Sequence, residues 1–140
     1  MIAIINGPNL NLLGKRQPEI YGKENFEDVL RKLRERFPDT PIEYFQSNCE
    51  GELISHLHKL GYEREDCRGI VINPGAYSHY SYAIADAITS IPVPVVEVHI
   101  SNIMSRDEFR HQSVTAPGCK GMLTGFGMEG YAMAVSYLLA

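Results

Sequence analysis

Two short stretches carry side chains able to do acid–base chemistry, and a third feature is a scattered set of polar groups. In GKRQPEIYG, Gly14 to Gly22, two glycines bracket Arg16 and Tyr21. Glycine and proline punctuate regular structure, so this segment reads as a mobile loop. A free tyrosine has a pKa near 10, and only about one in a thousand is ionised at pH 7. A guanidinium beside a phenol favours the phenolate. Arg16 and Tyr21 acting together would form a base only when the loop closes, and closure would also exclude water. Seen as an isolated loop, they read more simply as a solvated arginine and a packed tyrosine.

The second stretch is EVH, Glu97 to His99. Residues i and i+2 of a strand point to the same face, so Glu97 could hold the His99 imidazole in one tautomer. An oriented imidazole is a good general acid or base. The pattern serves a buried pair kept for stability equally well. The third feature is a set of amide, hydroxyl and guanidinium groups: Asn6, Asn9 and Asn11, then Asn73, Ser78 and His79, then Ser101, Asn102, Arg106 and Arg110. That set suits a small, hydroxyl-rich anion.

These groups need a frame. IAII (Ile2 to Ile5) and GIVI (Gly69 to Ile72) are continuous apolar runs, as strands buried on both faces are. IEYFQ, VPVVEVHI and KGMLTG supply three further strands. NFEDVLRKLRERF places Phe26, Val29, Leu30, Leu33 and Phe37 at helical spacing, with Asn25 and Asp28 as its start. ELISHLHKLGY, SYAIADAITSI and EGYAMAVSYLLA read as three more helices, and NPGAYSHY as a loop. The alternation predicts an α/β fold: a doubly wound three-layer sandwich around a five-stranded parallel sheet. Ligands of such sheets bind beyond the carboxyl ends of the strands. With Ser47, Asn48 and Glu50 after the second strand, the polar groups above all follow strands, so four loops bring them to one rim.

The bulk composition narrows the class. At 140 residues the chain reads as one domain spanning 1–140, with 44% hydrophobic and 21% charged residues. A net charge of −4 argues against general nucleic-acid binding. No run approaches the roughly 18 apolar residues of a membrane span. Cys49, Cys67 and Cys119 lack CxxC spacing, which fits a reducing cytoplasm. GFGMEG (Gly125 to Gly130) matches a dinucleotide fingerprint but lies too close to the last residue for the rest of that unit, and reads as a tight turn into the last helix. No Walker-type phosphate loop occurs, and asparagines stand where a receiver domain needs acids. His56 and His58 lie two apart on a helix, so they diverge and read as solvated surface residues.

Taken together, INGPNLNLLG, the RxPEIYG segment, QSNxEGELI, GIVINPGAYSHYS, PVVEVHISN and RDEFRHQS resemble type II 3-dehydroquinate dehydratase nearly from end to end. The resemblance implies a flavodoxin-like fold and the reversible dehydration of 3-dehydroquinate to 3-dehydroshikimate, with no metal, Schiff base or other cofactor. It implies that Tyr21 takes a proton from C2, with Arg16 favouring its phenolate. An enol or enolate follows, stabilised through an ordered water that Asn11 and the Asn73 loop would hold. His99, oriented by Glu97, protonates the departing C1 hydroxyl, giving anti elimination. Asn73, His79 and Arg110 would grip substrate hydroxyls. The backbone amides of Ile100 and Ser101, with the Ser101 hydroxyl, would hold the carboxylate. Asp86 would come from a neighbouring subunit of a homo-oligomer, a dodecamer of four trimers, in the cytoplasm. Cys49, Lys15 and Gln17 depart from the family's common residues, at positions that carry none of these roles.

Overall fold

A computed structural model describes residues 1–140. The elements run β1 (Ile2–Asn6), α1 (Pro18–Tyr21), α2 (Phe26–Arg36), β2 (Ile42–Gln46), α3 (Glu50–Tyr62), β3 (Gly69–Asn73), α4 (Tyr82–Ser90), β4 (Val95–His99), β5 (Gly121–Thr124) and α5 (Glu129–Leu139). The five strands form one parallel sheet in the order β2-β1-β3-β4-β5. The fold is a flavodoxin-like α/β sandwich.

Alternation along the central strands builds the layers. Ile2 and Ile4 join Val71, Val96 and Val98 beneath α2 and α5, through Leu30, Leu33, Tyr131 and Val135. Ala3 and Ile5 join Ile70, Ile72 and Val95 beneath α3 and α4, through Leu53, Leu57, Ile84 and Ile88. Strands buried on both faces therefore need the unbroken apolar runs seen in β1 and β3. Each such isoleucine or leucine contributes about 1.5–3 kcal/mol by leaving water. No helix is long and apolar enough to cross a membrane.

Local chemistry sets the ends of the helices. The α2 start is a capping box: Asp28 N donates to Asn25 Oδ1 at 2.9 Å, and Asn25 N donates to Asp28 Oδ2 at 3.4 Å. Ser81 caps α4 by accepting from Ile84 N at 3.0 Å. Two segments read as loops are more regular than expected. Within Gly14 to Gly22, Pro18 opens a single helical turn, α1, between the left-handed backbones of Gln17 and Gly22. Proline's fixed φ suits the first position of a helix, which outweighs its role as a breaker. Residues Gly75–His79 of the NPGAYSHY stretch wind into a 3-10 turn. The GFGMEG glycines make the tight turn expected, with Gly125 and Gly127 at φ +92° and +60°.

The chain leaves β1 for β2 on one side of the sheet and reaches β3 on the other, so the switch point lies between β1 and β3. Two mirrored triplets meet there, Asn6-Gly7-Pro8 and Asn73-Pro74-Gly75. Gly7 N donates to Asn73 O at 2.8 Å. A Cβ on Gly7 would stand 2.4 Å from Pro74 O, so only glycine fits. Gly75, at φ +62°, packs against Pro8 in return. The two corners interlock into a floor at the carboxyl end of the sheet.

Candidate active site

Above that floor lies a pocket of about 130 Å³. Asn9 follows β1; Asn73 ends β3 and His79 follows it; His99 ends β4, and Ile100 and Ser101 follow it. Arg16 and Tyr21 reach it from the α1 segment, and Arg106 and Arg110 from the turns after β4. The sheet thus gathers residues up to 101 positions apart, from Asn9 to Arg110, at the rim where an α/β sheet binds ligands.

Tyr21 has two guanidiniums. Arg16 lies against its ring, with Cζ 5.3 Å from the centroid. Arg106 Nη1 donates to its hydroxyl at 2.9 Å. The arginine that touches the phenol oxygen is therefore Arg106, 85 positions away, while the neighbour on the loop stacks on the face. His111 Nε2 donates to Arg106 O at 2.9 Å and holds that turn in place.

Glu97 and His99 meet as their shared strand face requires: His99 Nε2 lies 2.7 Å from Glu97 Oε2. The Glu97 side chain is fully buried. A bare carboxylate there would be costly, so its lone pairs must be filled. Ser113 Oγ donates to Oε2 at 2.7 Å, and Thr115 Oγ1 donates to Oε1. A carboxylate only accepts, so Nε2 of His99 carries its hydrogen toward Glu97 and Nδ1 has no partner within the chain. His79 lies alongside, its ring centroid 6.1 Å from that of His99. His79 Nδ1 donates to Gln112 O at 2.8 Å, which leaves Nε2 as an acceptor. Burial, above all, lowers the His79 pKa, so its ring is neutral near pH 7.

The remaining lining is anion-seeking. The backbone N–H groups of Ile100 and Ser101 donate to no group of the chain. Thr124 fixes that turn by donating to Ser101 O at 2.9 Å and accepting from Ile103 N at 3.1 Å. Arg110 Nε is buried without a hydrogen bond, and its nearest acid, the exposed Asp107, stands 3.7 Å off. Arg16, Arg106 and Arg110 thus crowd one small cavity with no carboxylate in its lining.

The family model "Dehydroquinase class II" matches residues 1–139. The chain belongs to the class II dehydroquinase family. It is 52% identical over 136 residues to the 3-dehydroquinate dehydratase of Caldicellulosiruptor bescii, covering 96% of this chain and 92% of that protein. It is 52% identical to the Bacillus subtilis 3-dehydroquinate dehydratase, over 98% of this chain and 92% of that protein. Among solved structures, the type II dehydroquinase of Butyrivibrio crossotus superposes with a TM-score of 0.92 at 48% identity, covering 99% of this chain and 97% of that one.

Most of the residues singled out from this dehydroquinase sequence share the pocket: Arg16, Tyr21, Asn73, His79, His99, Ile100, Ser101 and Arg110 line it, and Glu97 stands directly behind His99. Asn11 does not. It sits exposed on the 3-10 turn Leu10–Leu12, and Asn9 lines the pocket from the same segment. Asp86 lies on the exposed side of α4, away from the lining. His56, read as solvated, stacks on Phe45 at 4.1 Å and is half-buried. Ser113 and Thr115 went unnoticed in the sequence. Their only signal is hydroxyl spacing two apart after RDEFRHQ, which becomes meaningful once a buried carboxylate needs donors.

Proposed function

We propose that this class II dehydroquinase eliminates water from 3-dehydroquinate to give 3-dehydroshikimate in the shikimate pathway, as one catalytic domain over residues 1–140. The observation that carries this reading is a single anion-seeking pocket holding two acid–base groups with separate partners. Tyr21 has a guanidinium on its oxygen, and His99 has a buried carboxylate on Nε2.

Tyr21, as phenolate, takes the proton from C2 beside the ketone. Arg106, donating to the phenol oxygen, and Arg16, against the ring, offset the charge of that base. The C2 electron pair moves into an enolate, and Asn9, which lines the pocket where Asn11 does not, holds with the Asn73 loop the water that hydrogen-bonds its oxygen. The enolate then expels the C1 hydroxyl, which leaves as water with a proton from His99 Nδ1. Glu97 keeps Nε2 protonated, so Nδ1 is the atom that gives and regains this proton. Tyr21 and His99 working from opposite faces make the elimination anti.

The free N–H groups of Ile100 and Ser101 suit the substrate carboxylate, with the Ser101 hydroxyl assisting. Asn73, neutral His79 and the underpaired Arg110 suit its hydroxyls. Asp86 faces outward on α4 beside the exposed Tyr82, which supports its entry into a neighbouring subunit's pocket. We extend the reading to a dodecamer of four trimers working in the cytoplasm. Sedimentation tests this assembly: a monomer that turns over at full rate overturns Asp86's role.

The deciding experiment follows the ultraviolet absorbance of the conjugated enone formed from 3-dehydroquinate. Activity that persists with a chelator, and after treatment with substrate and borohydride, fits this chemistry. A folded chain that forms no product overturns it.

A further inference from the structure

Beneath the pocket floor lies a polar chain of which the chemistry above uses only Asn73. Asn6 and Asn73 end β1 and β3 as register partners, and both are buried. Tyr131 of α5, fully buried, reaches between them. Its hydroxyl donates to Asn6 Oδ1 at 2.8 Å and accepts from Asn73 Nδ2 at 3.0 Å. Asn6 Nδ2 donates onward to the Tyr44 hydroxyl at 3.3 Å. Asn73 Oδ1 accepts from Gly75 N at 3.1 Å.

A phenol has one proton to give, and burial pushes the Tyr131 hydroxyl pKa far up, so that proton stays. It is committed to Asn6, so the Asn73 amide must turn its NH₂ toward Tyr131. Gly75 N–H, on the other side, demands its oxygen. A flipped Asn73 would set NH₂ against Gly75 N–H and force Tyr131 to desert Asn6. Both ends of the amide are therefore fixed. What Asn73 has left is one N–H and one lone pair of set identity, at a position that lines the pocket.

We propose that Tyr131 is a positioning residue for substrate: it dictates which end of the Asn73 amide donates and which accepts at the pocket. This rests on the reading of Asn73 as a grip on substrate hydroxyls. Tyr131→Phe leaves only Gly75 N–H to set the Asn73 amide, and Tyr44→Phe removes a comparable bond at the far end of the same chain without touching Asn73.

Both variants lose thermal stability. Only Tyr131→Phe raises KM for 3-dehydroquinate, by about tenfold, with kcat within about threefold, as the loss of one well-aimed hydrogen bond gives. An unchanged KM in Tyr131→Phe, or an equal rise in both variants, overturns the proposal. If Tyr131→Phe does not fold, the parent protein decides. In ¹⁵N-labelled parent, one Asn73 side-chain proton exchanges slowly; rapid exchange of both overturns it. A parent with no dehydratase activity refutes the functional reading alone, and the exchange measurement still decides whether Tyr131 holds Asn73.

Discussion

The Tyr21 oxygen and the His99 ring take their partners in different ways, and each pairing predicts its own result. Tyr21→Phe removes the base but leaves the carboxylate and hydroxyl grips, so kcat should fall by at least about 100-fold with KM little changed. A parallel fall in substrate affinity would make Tyr21 structural. Thr115→Val keeps shape but takes one donor from the Glu97 carboxylate. Stability should fall by about 1–3 kcal/mol, read by denaturant titration. Two histidines set an acid limit. Burial is the largest cause lowering the pKa of both His79 and His56. The unfolded chain then binds protons more readily than the folded one, so stability is full above about pH 6.5 and falls as pH drops below it. Melts between pH 5 and 8 check this; a flat profile across that range contradicts it. At this scale the sequence told much about His99, because Glu97 shares its strand face by simple alternation. It told little about Arg106 or Thr115, because a side chain folded in from 85 or 18 positions away leaves no local period.

Elements inherit these demands as constraints on where glycine is needed. Gly7→Ala drives a methyl against Pro74 O at the interlocked corners. It should cost about 1–3 kcal/mol and lower Tm by roughly 3–10 °C. Gly51 in α3 has open space around its Cβ position, so Gly51→Ala should stabilise by up to about 1 kcal/mol. Scanning calorimetry on the pair checks both signs. The strands and long helices were legible because period-two and 3.6-residue burial cover most of the chain. The α1 turn and the 3-10 turn after β3 were not, because glycine and proline mark a change of direction without saying how tightly the chain will wind. The exposure of Asn11 was equally invisible, since a polar triplet after a strand does not say which asparagine turns inward.

The whole molecule carries a net charge of −4, yet its pocket is lined by three arginines and no carboxylate. An anionic substrate is therefore drawn to one spot on an otherwise repelling body. Raising the salt well beyond about 0.1 M should lower kcat/KM while kcat holds, as steady-state kinetics will show. The edge position of β5 reaches into synthesis. Every residue of the pocket lining has left the ribosome by Arg110, but β4, which carries Glu97 and His99, gains its second neighbour only with Gly121–Thr124. Until then the strand bearing the acid is an open edge, a template for pairing with other chains. A nascent chain thus holds its complete chemical inventory before it has a safe place to keep it, and its most aggregation-prone interval comes just before β5 closes the sheet.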